Sequence, residues 1–215
     1  MTLQESLAKL KAKIESGLPD EYIKIMHQTT KGLKDSGIEN SILKVGDFSP
    51  EFTLPNQNNE KISLSDLLKK GPVIITFYRG TWCPYCNTDL NYLKRYKPEF
   101  DALNAHLISI SPQIIKYNKQ IVERHKLNFD VLSDLGNVVA NKFGLTWQMK
   151  DPLKSLYTKT FDIQIPKYNG DDSWTLPIPA RFIIGTDKII KYVEYSIDYT
   201  NRPNPDVLVP TLKKL

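Results

Sequence analysis

The only two cysteines of this 215-residue chain, Cys83 and Cys86, stand three positions apart in the run Pro72-Val-Ile-Ile-Thr-Phe-Tyr-Arg-Gly-Thr-Trp-Cys-Pro-Tyr-Cys-Asn87. Residues three apart on a helix carry Cβ atoms about 5–6 Å apart. A small adjustment reaches disulfide geometry, so the pair can close and reopen without large motion. Only the thiolate is nucleophilic, and a free cysteine titrates near about 8.5. The unpaired N–H groups at a helix start favour the anion, and Arg79 and the second sulfur push the same way. Cys83, nearer the tip, is expected to be the exposed attacking sulfur, and Cys86, one turn deeper, the resolving one. Two cysteines cannot complete a four-ligand zinc site, and His27, His106 and His125 are scattered, so neither metal nor cofactor is expected. An inert pair packed as small hydrophobes is the plainer alternative. A CxxC in a βα setting is the more specific redox signal.

The elements that must hold the pair are legible around it. Val73 to Tyr78 is a short apolar run rich in β-branched and aromatic residues, suited to a strand buried on both faces. Gly80 and Thr81 break it. A helix then opens with Pro84 just inside, where proline's missing N–H is harmless, and runs on through Leu90, Leu93, Tyr96 and Phe100. Downstream, His106–Ser111 reads as a strand, Ile114–Lys126 as a helix, Asn128–Leu132 as a strand and Asn137–Phe143 as a helix closed by Gly144. Pro177–Gly185 leads into a strand with which Ile189–Tyr195 pairs back as a hairpin, and Asp206–Leu215 is a terminal helix. Strands alternating with helices predict an α/β fold with an open sheet covered on both faces.

Two regions lie outside this pattern. Residues 1–41 read as a helical extension with stripes Leu3, Leu7, Leu10, Ile14 and Ile23, Met26, Thr30, Leu33, broken at Gly17-Leu18-Pro19-Asp20. The stripes are expected to pack on the main domain, residues 42–215, with a dimer-forming or partner-binding arm as the alternative. Residues 146–173 fit no simple element and read as an insertion with some helix of its own. Between Val45 and Leu64, a turn-rich Pro-Asn-Gln-Asn-Asn cluster separates the arms of a predicted hairpin.

Composition narrows the function. The charge of +5, from 29 basic and 24 acidic residues, is spread along the chain without a basic block, so nucleic-acid binding is not indicated. No apolar run approaches a membrane span, and Met1 to Lys13 has no signal-peptide core. Cysteines confined to one CxxC fit a reducing compartment, so the expected location is cytoplasmic.

With these residues in view, the chain resembles the alkyl hydroperoxide reductase/thiol-specific antioxidant group of peroxiredoxin-like proteins in the thioredoxin superfamily. The resemblance is carried by Val45-Gly-Asp-Phe-Ser-Pro-Glu-Phe-Thr-Leu-Pro55, Phe77-Tyr-Arg-Gly-Thr-Trp-Cys-Pro-Tyr-Cys86, Ile108-Ser-Ile-Ser-Pro112, Val131-Leu-Ser-Asp134 and Pro177-Ile-Pro-Ala-Arg-Phe-Ile-Ile184. It implies a thioredoxin-like fold with a central mixed sheet flanked by helices. It also implies reduction of a peroxide or disulfide by thiols, with electrons from a thioredoxin-type donor, and by analogy it admits a homodimer. The family pattern Pro-x-x-x-Thr-x-x-Cys is absent. Taking Cys86 as its cysteine, which counting from the strand favours, puts Arg79 and Cys83 at the proline and threonine; taking Cys83 puts Thr76 and Gly80 there. Where the family carries an arginine before the Phe-Ile-Ile strand, this chain has Pro179, which resembles the cis-proline facing the CxxC of thioredoxins. Arg181 comes two residues later and is expected to point away.

Three functions follow. The first is a peroxiredoxin-like antioxidant that reduces hydrogen peroxide or organic hydroperoxides through a Cys83/Cys86 dithiol–disulfide cycle. The second is a thioredoxin-like reductase of protein disulfides, and the third a redox-sensing module without turnover. Supporting roles fall to Thr81, Arg79, Trp82 and Pro179. Arg79 either steadies the thiolate or forms a surface ion pair, and Trp82 either docks a donor or covers the helix start. Asp171, Asp172 and Trp174 precede the Pro179 loop and are expected to approach the site or merely to form a turn. Asp198–Arg202 reads as a loop with no assigned chemistry.

Overall fold

The computed structural model describes residues 1–215. Two helices open it. In α1 (Leu3–Glu15), Thr2 and Glu5 form a reciprocal capping box, and Leu3 and Leu7 are buried. In α2 (Asp20–Asp35), Met26 is the buried residue. A short antiparallel hairpin follows, β1 (Thr53–Pro55) with β2 (Lys61–Ser63). Its turn is held by Asn56, whose side-chain oxygen accepts from the N–H groups of Asn58 and Glu60. The chain then alternates α3 (Leu64–Leu68), β3 (Val73–Phe77), α4 (Pro84–Ala102), β4 (His106–Ser111), α5 (Ile115–His125), β5 (Asp130–Ser133) and α6 (Val138–Lys142).

The stretch 146–173, which carries no simple periodicity, forms a small unit together with residues 174–177. It comprises β6 (Thr146–Gln148), α7 (Leu153–Lys159), α8 (Ile165–Asn169) and β7 (Thr175–Pro177), with β6 and β7 paired antiparallel. The last elements are β8 (Ala180–Ile184), β9 (Ile190–Tyr195) and α9 (Leu208–Leu212). The predicted terminal helix is shorter than expected, a 3-10 turn at Pro205–Val207 leading into α9.

The central sheet has five strands in the order β5-β4-β3-β8-β9. β3 lies at its middle, parallel to β4 and antiparallel to β8, so Ile75 stands between Ile108 and Phe182. Strand side chains alternate between faces. Ile74 joins Leu107, Val131 and Ile183 in a cluster under α1, α4 and α5, while Val73, Ile75 and Phe77 join Ile108, Leu132 and Phe182 under α3 and α6. This two-sided burial explains the unbroken apolar run of β3.

A third cluster buries Met26 of α2 against Leu153, Leu156, Tyr157, Ile165 and Trp174. Leu3 and Leu7 of α1 belong to the α4 cluster, and Ser6 Oγ lies 2.7 Å from Tyr92 Oη on α4. The N-terminal helices therefore pack on the rest of the chain, and one of them seats against the 146–177 unit. None of the helices is long and apolar enough to cross a membrane.

The connection from β3 to α4 turns at Gly80, with φ at +155°, and an added Cβ would stand 2.4 Å from Trp82 Nε1 and 2.6 Å from Gln113 Oε1. Only glycine adopts that backbone region readily. Gly80→Ala should therefore lower stability by at least about 2 kcal/mol in urea denaturation. Gly32, in the last turn of α2 with open space around it, gives the opposite result: Gly32→Ala should raise stability by about 0.5–1 kcal/mol.

Candidate active site

Cys83 is the N-cap residue of α4, Pro84 its first residue, and Cys86 lies in its first turn. Both sulfurs are free thiols. The turn between β3 and α4 is held from behind by a buried polar network. Asn118 on α5 accepts from Tyr78 Oη at 2.9 Å and Ser111 Oγ at 3.1 Å and donates to Ser133 Oγ at 2.9 Å. Gln113, in contact with Asn118 at 3.4 Å, presents its oxygen to the Thr81 N–H at 2.6 Å. Asn87 on α4 closes the turn by donating to the Thr81 carbonyl at 3.0 Å. These bonds together fix one arrangement of the loop, while Thr81 Oγ1 and Asn87 Oδ1 stay unpaired.

Around the sulfurs the charges are unequal. Arg79, Arg181 and Arg202 are all buried, and Asp89 is the buried carboxylate among them. Arg181 Nη2 contacts both oxygens of Asp89 at 2.8 Å, and its Nη1 donates to the Pro203 carbonyl at 2.9 Å. Asp89 is thus claimed chiefly by Arg181, with Arg202 Nε at 3.9 Å. Arg202 donates through Nη1 to the Tyr199 and Asn201 carbonyls, both at 2.6 Å, and its Nη2 lies 2.8 Å from Cys86 Sγ and 3.7 Å from Cys83 Sγ. Arg79 has no carboxylate. It donates to Tyr157 Oη at 2.6 Å and lies 4.2 Å from the Tyr199 ring centre and 4.8 Å from that of Trp82. A guanidinium taken out of water is costly unless paired, and here the sulfurs are the remaining source of negative charge.

The thiols respond unequally. Burial pushes the Cys83 pKa up, but the hydrogen bond from Cys86 and the charges of Arg79 and Arg202 outweigh it and bring it to about 5. Burial, the hydrogen bond to Cys83 and the negative charge there drive Cys86 well above the usual thiol range. Arg202 is nearer Cys86 and pulls its pKa down, but not enough to offset burial and the neighbouring sulfur, so the pair carries one negative charge. Arg79 biases it toward Cys83, and the Cys86 S–H remains to donate to it.

Cys83 lines a cavity of about 260 Å³ together with Arg79, Trp82, Pro84, Tyr85, Tyr157, Phe161, Ile163 and Tyr199; Ile14, Glu15, Leu18 and Met26 complete the wall. Cys86 is not part of the lining. The N-terminal helices and the 146–177 unit therefore enclose the sulfur between them, with Tyr157 supplied by α7. Trp82 meets Tyr157 edge-on at 5.7 Å.

Several sequence expectations change. Cys83 is not exposed: it is 1% accessible, and Cys86 0%, because the added helices roof the α4 start. Arg79 forms no surface ion pair, being buried among aromatic rings. Pro179 is not a cis-proline, since the cis bond of the chain is Asp151–Pro152. It lines a narrow space behind Arg79 that none of the thiols reaches. Thr81 serves through its backbone. Arg181 is held by Asp89 and the Pro203 carbonyl. Asp171 accepts from the Ser173 N–H in a turn, and Trp174 is buried in the α2–α7 cluster, so neither approaches the cysteines. Arg202 and Tyr157 were missed. Arg202 is aimed by a turn in which Asp198 accepts from the Thr200 N–H at 3.0 Å and Oγ1 at 2.7 Å. The Asp-x-Thr spacing signals such a turn but not its direction.

The model of the AhpC/TSA family matches residues 45–193. "Putative peroxiredoxin bcp" of Haemophilus influenzae is 40% identical over 108 residues, 50% of this chain and 69% of that protein. "Peroxiredoxin Bcp" of Escherichia coli is 30% identical over 120 residues, 56% of this chain and 73% of that one. Among solved structures, peroxidoxin BcpB from Mycobacterium tuberculosis superimposes with a TM-score of 0.64 at 24% identity, covering 80% of this chain and 98% of that one. This likeness bears on the fold, a thioredoxin-like mixed sheet flanked by helices.

The depressed Cys83 pKa has a signed consequence. An unfolded cysteine titrates near about 8.5, so the ionised Cys83 stabilises the fold fully above that pH. The contribution is lost as pH falls through about 5. Cys86, shifted upward, acts only above the unfolded value. The stability difference between wild type and Cys83→Ser, both reduced, should widen as pH rises from about 5 to about 8.5, read as urea midpoints. A flat difference would put the anion elsewhere.

Proposed function

We propose, from the premise that the chain belongs to the AhpC/TSA family, that it reduces peroxides through a Cys83/Cys86 dithiol–disulfide cycle. The chain is a thiol-dependent oxidoreductase of the peroxiredoxin type. The observation that carries the assignment of the two cysteines is that Cys83, and not Cys86, opens onto the cavity, with Arg79 and Arg202 beside it.

The Cys83 thiolate attacks the distal oxygen of the peroxide. The S–O bond forms as the O–O bond breaks. Sulfur is oxidised to a sulfenic acid, and the leaving oxygen departs as an alcohol or water once it takes up a proton. Cys86, kept as a thiol by burial, then attacks the sulfenic sulfur. A disulfide forms, and the hydroxyl group leaves as water with the Cys86 proton. Arg202, touching both sulfurs, lies where it steadies charge on either one in turn. An external dithiol of the thioredoxin type restores the pair by thiol–disulfide exchange, a step that requires the disulfide-bonded form to displace the helices that roof the sulfurs.

The cavity favours a small peroxide over a protein disulfide as oxidant, because a protein sulfur cannot reach a Cys83 that is 1% accessible without displacing the helices that roof it. Stopped-flow oxidation by hydrogen peroxide should be far faster than that of free glutathione, and absent in Cys83→Ser. Cys86→Ser should still react once and accumulate a sulfenic acid that dimedone traps. Rapid peroxide oxidation of Cys83→Ser would reverse the two roles. Arg202→Gln removes a charged hydrogen-bond donor, a loss of about 1.5–3 kcal/mol, and should slow the first step roughly 10- to 100-fold.

A further inference from the structure

Tyr157 is the buried group at this site that the cycle above leaves without a task. It lies on α7, outside the β3–α4 unit that carries the sulfurs, and its ring is wedged edge-on between Trp82 at 5.7 Å and Phe161 at 5.8 Å. Its oxygen accepts from Arg79 Nη2 at 2.6 Å, its one hydrogen bond. A guanidinium can only donate, so the phenolic proton is not committed to any protein acceptor. The same side chain lines the cavity that holds Cys83.

Two other tyrosines share that cavity without the same equipment. Tyr199 directs its hydroxyl to Met26 Sδ at 3.3 Å. Tyr85 packs against Tyr199, and its ring has no guanidinium among its contacts. Tyr157 alone combines a free proton, a cation on its oxygen and a place beside the nucleophile.

The reaction requires such a group. As the O–O bond breaks, the oxygen that leaves gathers negative charge in a cavity walled largely by apolar side chains, where water is scarce and an unsolvated alkoxide is unfavourable. We propose that Tyr157 is a catalytic residue that hydrogen-bonds this leaving oxygen and passes it a proton during O–O cleavage. The bookkeeping closes: the Cys83 thiolate forms the S–O bond, the peroxide is reduced by two electrons, and the leaving oxygen takes the Tyr157 proton to become an alcohol or water. The tyrosinate is held by Arg79 until solvent returns the proton that Cys83 released on ionising. This inference rests on the assignment of Cys83 as the attacking sulfur.

The test is Tyr157→Phe, which keeps the ring and its packing. First-turnover rates are compared for three oxidants whose leaving groups differ in basicity: tert-butyl hydroperoxide, hydrogen peroxide and peracetic acid. Iodoacetamide alkylation of Cys83 is run alongside, since iodide leaves without a proton. The variant should lose about 100-fold or more with the first two, in the range of general acid catalysis. It should lose less than about tenfold with peracetic acid, whose acetate needs little help, and alkylation should stay within about twofold. An equal loss for all three oxidants together with slower alkylation would overturn the proposal and make Tyr157 a prop for Arg79. Rapid wild-type oxidation with an unchanged variant would overturn it too, while leaving the peroxidase reading intact. A wild type no faster than glutathione would overturn both.

Discussion

A buried guanidinium must find negative charge, and Arg79 finds no carboxylate. That imbalance governs the site. Arg181 takes most of Asp89, Arg202 reaches the sulfurs, and Arg79 has a tyrosine hydroxyl and aromatic faces. Cation–π contacts and neutral hydrogen bonds offset only part of the desolvation of a full charge. In the proposed cycle an anion on Cys83 supplies the remaining stabilisation, and the same charge makes that sulfur the nucleophile. Stability and reactivity here share one cause.

Everything else fixes geometry around that charge. The β3 strand, buried on both faces, delivers the chain to Gly80. The Asn118–Gln113 network holds Thr81 from behind, and α4 presents Cys83 at its first turn. The Asp198 turn aims Arg202 from the opposite side. The N-terminal helices and the 146–177 unit, which pack together through Met26 and the α7 side chains, close the space above. They turn what would be an open helix start into an enclosed, mostly apolar cavity. Enclosure strengthens the electrostatics, since fewer waters screen the arginines from the thiolate.

Much of this was legible in the sequence. The β3 run, the Pro84 helix start, the alternating strands and helices and the hairpin at Arg181–Tyr195 all follow from local periodicity and turn chemistry, and all of them formed. The dithiol itself was plain from spacing. What local pattern could not supply was the far side of the site. Arg202 lies 116 residues from Cys86 in the chain, in a loop whose polar composition predicts only a turn. Tyr157 lies 78 residues from Arg79, in a stretch without clear periodicity. Pro179 misled because its place before a strand matches a familiar pattern while its peptide bond and direction do not. The exposure expected of Cys83 failed for a related reason: helix-end geometry predicts access, but the roof is built by segments whose docking depends on tertiary packing.

The most direct test of the charge account is thiolate absorbance at 240 nm, followed while the reduced protein is titrated with acid. The account predicts one thiolate that persists to a midpoint near about 5, is retained in Cys86→Ser and is missing from Cys83→Ser. A protein with no thiolate absorbance below about pH 8, the behaviour of an ordinary cysteine, would contradict it. So would a low-pH step that survives in Cys83→Ser and vanishes in Cys86→Ser.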